Sequence, residues 1–130
     1  DQAIAMATMF LSQHVGVRAI VAMTESGGTA RYLSRFRASA PVFAVTRHDG
    51  ARRQMALMRD VFPINFDSRG LTPREAARGS IRLLVEAGLV AEGDRVVFTS
   101  GEHMETHGAT NTLRLLQVGP DGRASGLGEL

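Results

Sequence analysis

Two rhythms of apolar residues alternate along the chain. In the first fifteen residues Ala3, Met6, Ala7, Phe10 and Leu11 recur at helical spacing, so Asp1 to Val15 is read as a helix that Gly16 ends. The run Ala19-Ile20-Val21-Ala22-Met23 that follows is apolar throughout, the pattern of a strand buried on both faces. A second amphipathic segment begins at Ala30, with Leu33 and Phe36 inward and Arg31, Arg35 and Arg37 outward. Val42 to Thr46 repeats the buried-strand pattern, and Asp49 is placed to cap a third helix whose stripe is Ala51, Met55 and Met58. Val61 to Phe66 reads as a strand, at an edge because Pro63 cannot donate to a ladder.

Thr72-Pro73-Arg74-Glu75 has the form of a capping box, and Ala77, Ile81, Leu84 and Val85 mark the inner face of the helix it opens. Gly88 stops that helix, Gly93-Asp94 turns, and Arg95 to Thr99 forms another strand. A polar loop from Ser100 to Asn111 leads to a last strand, Thr112 to Val118. That connection is too short for a crossover helix, so the last strand is expected to run antiparallel. The order predicts one α/β domain, an α/β/α sandwich around a mostly parallel sheet, over residues 1–118, with a flexible glycine-rich tail over 119–130.

Composition narrows the chemistry. The 130 residues contain no Cys, so disulfides, thiolate metal sites and cysteine nucleophiles are excluded. All 15 basic residues are Arg. Without lysine, a P-loop nucleotide site and Schiff-base catalysis are excluded as well. The arginines are interspersed with acids and the net charge is only +2, so no nucleic-acid partner is indicated. No apolar run reaches membrane-spanning length and no leader is recognisable, so a cytoplasmic location and no membrane partner are expected.

Two stretches invite a ligand. Between the first strand and the second helix lie Thr24, Glu25, Ser26, Gly27, Gly28 and Thr29. Amides at a helix start point outward, the helix dipole adds positive character, and glycines admit close approach, so the junction suits an anion. Ser26 and Thr29 add hydroxyls, whereas the Glu25 carboxylate repels phosphate unless it points away. The plainer reading is a helix cap made by Ser26 or Thr24. The other stretch, Ser100 to Thr110, follows the fourth strand. If strands one and four are neighbours, both loops share one crevice beyond the strand ends; otherwise they are unrelated surface turns. His103 and His107 have helical i, i+4 spacing, but Glu105 is not where a zinc peptidase needs it, and no metal site is expected. His14 and His48 stand isolated in the sequence, and no nucleophile–base set emerges.

The run from Ala19 to Thr46, AIVAMTESGGTARYLSRFRASAPVFAVT, and the later GDRVVFTSGEHMETHGATNTLRLLQV resemble the C-terminal domain of pyruvate kinase. The motifs are a strand, T-x-S-G-x-[ST]-A, a helix, an apolar strand ending in Thr, and Gly108-Ala109-Thr110-Asn111-Thr112. The Ser100–Thr110 loop is more similar to bacterial enzymes activated by AMP or sugar monophosphates than to those activated by fructose bisphosphate. The latter often carry basic residues where this chain has Glu25 and Gly28. The resemblance implies a five-stranded sheet of order 3-2-1-4-5 with the last strand antiparallel. It also implies an effector phosphate held by Thr24 to Thr29 and covered by Ser100, Gly101, Glu102, His103, Thr106, His107, Gly108 and Thr110.

Further implied are a homotetramer and docking on the catalytic barrel domain of the same parent chain. The lysine, Mg²⁺ and K⁺ positions of the family's active site belong to that barrel. No catalytic residue and no cofactor are therefore expected here, and the domain alone should not transfer phosphate from phosphoenolpyruvate to ADP. Two rivals stand beside an effector-binding domain: an assembly module whose loops bind nothing, and a small free-standing enzyme, which the missing Lys, Cys and acid–base pair disfavour.

Overall fold

A computed structural model describes residues 2–101, 110–120, 122, 124 and 125. In chain order the elements are α1 (Gln2–Val15), β1 (Ala19–Met23), α2 (Gly28–Phe36), β2 (Val42–Thr46), α3 (Asp49–Met55), β3 (Val61–Asn65) and α4 (Pro73–Glu86). The chain then forms β4 (Arg95–Gly101), β5 (Thr110–Val118) and the two-residue β6 (Ala124–Ser125). The strands join in one sheet of order β3-β2-β1-β4-β5-β6. β1 pairs in parallel with β2 and β4, β2 in parallel with β3, and β5 antiparallel with β4.

Continuous apolar runs sit where both sheet faces are covered: every residue of β1 and β2 is buried. Ala19, Val21, Phe43, Val45, Val96 and Phe98 face α4, which contributes Ala77, Ile81 and Leu84. Ile20, Ala22, Val42, Ala44 and Val97 face the other way, against Ala5 of α1, Leu33 of α2 and Met55 of α3. The result is three layers. β3 lies at the margin, as Pro63 requires, and its Phe62 is half exposed.

Several boundaries differ from the pattern read along the chain. Gly28 opens α2, two residues ahead of Ala30, because Gly27 in left-handed conformation turns the chain directly into the helix. His48 is the N-cap of α3, so Asp49 occupies the first turn and pairs with Arg52. α3 ends at Met55, and Met58 packs on the core from beyond it. β4 runs on through Ser100 and Gly101, and β5 already starts at Thr110, because their ladder continues across an irregularity at Ser100/Gly101. Within the expected tail, Ala124 pairs with Val118 and Ser125 with Gln117, adding a short sixth strand to the five.

Helix ends are tied down by specific bonds. A guanidinium N–H of Arg95, at the start of β4, donates to the carbonyl of Val15 at 2.8 Å, satisfying an end carbonyl of α1. At α4 the Thr72 hydroxyl accepts from the Glu75 amide at 3.1 Å, and the Glu75 carboxylate accepts from the Thr72 amide at 2.9 Å. The bond from the Thr72 amide and, after it, the Thr72 side chain hold the Glu75 carboxyl below its ordinary pKa. A lowered acid stabilises the fold fully above its unfolded pKa, and the contribution disappears as pH falls through the native value. Thr72→Ala is predicted to cost about 1 kcal/mol in urea unfolding at neutral pH.

Candidate functional site

Parallel pairing places the C-terminal ends of β2, β1 and β4 side by side, with Ala22 opposite Ala44 on one flank and Thr99 on the other. The ends of these strands therefore meet at one edge of the sheet, and the segments after β1 and β2 leave from it. The Thr24 amide still donates to the Val45 carbonyl at 3.1 Å, so the turn leaves the sheet only after that residue. Thr24 is buried, and its hydroxyl accepts the Gly27 amide at 2.8 Å. The Gly27 amide is thus engaged inside the turn and is not among the donors presented outward.

Gly27 is the N-cap of α2, with φ of 91° and no side-chain oxygen for the first turn. A Cβ there would lie 3.0 Å from Met55 Cγ and 3.2 Å from its sulfur, so the turn rests directly on α3. Of the two proposed caps, Thr24 closes the turn through Gly27, and Ser26 is exposed at its apex. Gly28 is the first helical residue and Thr29 is buried behind it.

Glu25, the discordant acid, is turned aside. Its carboxylate accepts from Nε2 of His48, in the connection from β2 to α3, and only 9% of its side chain is exposed. His48 is not isolated, then. Sequence reasoning missed it because it follows a different strand; the available signal was that segments after adjacent parallel strands lie together. The His48 amide is itself fixed by the Thr46 hydroxyl at 3.2 Å. Arg52 braces the same edge, donating to the Thr46 carbonyl at 3.1 Å and to Asn65 Oδ1 at 3.0 Å.

On the β4 side, Ser100 and Gly101 belong to the strand and not to a loop. Ser100 and Thr99 are fully buried, and neither hydroxyl has a hydrogen-bond partner among the described residues. Thr110 begins β5 opposite Gly101. Glu102, His103, Thr106, His107 and Gly108 lie outside the described residues. Among the described residues no three His, Asp or Glu side chains gather as a metal site, and no helix is long and apolar enough to cross a membrane. A pocket of about 270 Å³, lined by Arg18, Pro41, Phe43, Phe62 and Leu89, lies near the other end of the sheet, where β1 and β2 begin.

The comparisons with known proteins agree with this architecture. Residues 2–116 match the family model of the pyruvate kinase alpha/beta domain. The chain belongs to that family. Pyruvate kinase II of Salmonella typhimurium is 43% identical over 121 residues, covering 91% of this chain and 25% of the relative. The pyruvate kinase of Buchnera aphidicola subsp. Schizaphis graminum is 41% identical over 119 residues, covering 91% of this chain and 24% of its own length. That of Staphylococcus saprophyticus is 33% identical over 127 residues, covering 97% and 22%. The chain thus spans about a quarter of the length of the curated relatives it matches. The strand order 3-2-1-4-5 that the pyruvate kinase resemblance implied is the order observed, with β6 added outside β5.

Two predictions follow from the local geometry. Gly27→Ala combines a strained left-handed alanine with a clash on Met55, and a loss of about 1–3 kcal/mol is expected in thermal unfolding. In the segment after β3, bonds from the Arg69 side chain and then its amide lower the Asp67 carboxyl from 3.8 to about 2. NMR titration of Arg69→Ala should move Asp67 back toward its ordinary value. The contribution of this depressed acid is complete above its unfolded pKa and is lost as pH falls through about 2.

Proposed function

We propose that this chain is the effector-binding, regulatory domain of a pyruvate kinase, and that it takes a phosphate monoester such as AMP or a sugar phosphate at the start of α2. The observation that carries the reading is the glycine-capped opening of α2 directly after β1, a strand that pairs in parallel with β4, in a domain of this family. Amides and hydroxyls hold the phosphate; the Ser26 and Gly28 amides and the Ser26 hydroxyl are the donors assigned, with β4 ending at Gly101 on the strand that adjoins β1. The domain supplies no catalytic group. In the parent enzyme, phosphate passes from phosphoenolpyruvate to ADP on a separate barrel domain, with Mg²⁺ and K⁺ there, in cytoplasmic glycolysis. Effector binding biases a homotetramer between states of different substrate affinity, which requires contacts that differ between the states.

A second reading, an assembly module, is favoured by Met6 and Phe10, which stand 53% and 63% exposed four residues apart on α1. Calorimetric titration with AMP and with glucose 6-phosphate separates the two. Gly27→Asp would confound folding with binding, so Ser26→Asp, at the exposed apex, is the informative variant. It should weaken binding at least about tenfold by adding a charge next to the phosphate. Unchanged affinity removes the assigned site. A dimer in sedimentation that binds neither ligand supports the assembly module instead.

A further inference from the structure

Glu25 sits in the turn between β1 and α2, where the field of the helix start attracts any nearby anion. A carboxylate tethered there is an internal competitor for a phosphate. It is instead drawn onto His48 and nearly buried. The other charged groups around the pair have different engagements. Arg47 acts on Asp67, weakly and from a distance, while Asp49 is bonded to Arg52, whose second nitrogen serves Thr46 and Asn65. Independently, the fully buried Thr99 on adjoining β4, which pairs with Ala22 and shares the α2-covered face of the sheet with Val97, carries a hydroxyl with no partner among the described residues.

We infer that His48 is a positioning residue for anion binding: its imidazole holds the Glu25 carboxylate away from the α2 amides and thereby lets the site accept a phosphate. This rests on the effector reading above. Removing the imidazole leaves a nearly buried carboxylate without a partner, which is costly. The carboxylate then turns outward, toward the helix start, and meets the ligand as a like charge. The anchor for the imidazole is independent of the ligand, since the Thr46 hydroxyl fixes the His48 amide and the residue caps α3.

The test is calorimetric titration of the 130-residue chain with AMP and with glucose 6-phosphate, comparing wild type, His48→Ala, Glu25→Gln and the double variant. His48→Ala should weaken binding about tenfold, the scale of one unit charge brought close to a phosphate near a protein surface. Glu25→Gln should match wild type within about threefold, because its charge is already held off, and the double variant should return to the Glu25→Gln value. Equal affinity of wild type and His48→Ala overturns the positioning role, as does a double variant as weak as His48→Ala. If His48→Ala does not fold, Glu25→Gln decides. Affinity near wild type supports the role, and a gain of tenfold or more overturns it by showing the carboxylate repels despite His48. Failure of both wild type and Glu25→Gln to bind either probe overturns the effector reading and this inference together, whereas binding that His48→Ala leaves intact overturns the inference alone.

Discussion

Parallel pairing of β1 with both of its neighbours is the constraint on which the rest depends. A strand buried on both faces cannot pair with polar or mobile partners, and the apolar runs of β2 and β4 meet that requirement. Once the three strands run the same way, their last residues arrive at one edge together. Thr24, Arg47 and the end of β4 then have no freedom to lie apart. The clustering of polar chemistry at that edge is therefore a product of core burial, not of any attraction between the polar groups.

At that edge most groups find partners within the chain. Thr24 takes the Gly27 amide, Thr46 takes the His48 amide, His48 takes Glu25, and Arg52 joins the ends of β2 and β3. Among the described residues these bonds leave the α2 N-cap, where Gly27 brings no side chain, and the Thr99 and Ser100 hydroxyls without a side-chain partner. The contrast is informative, because buried polar groups are ordinarily satisfied.

Much of this was legible in the residues. Helix and strand identities followed from apolar period, the α4 start from Thr72-Pro73-Arg74-Glu75, and the marginal position of β3 from Pro63. The neighbouring of β1 and β4 was not readable from period or spacing; it came with the family resemblance, since strand order depends on contacts distant in sequence. The α2 boundary was misjudged because Gly27 and Gly28 look like loop, whereas a left-handed glycine is itself a cap that places its successor in the helix. The Glu25–His48 pair was hidden for the same reason as the strand order, its members being separated by a helix and a strand. Ser100 and Gly101 read as loop because they are small and polar, yet the ladder to β5 holds them in the sheet.

Pro63 has a consequence beyond placing β3 at the margin. The strand has five residues, and its central one carries no amide hydrogen. A foreign chain laid along that margin meets a missing donor at the middle of a short template, with the exposed Phe62 ring beside it. Apolar surface is thus available there without a matching row of backbone donors, so growth of the sheet into an aggregate is interrupted on that side.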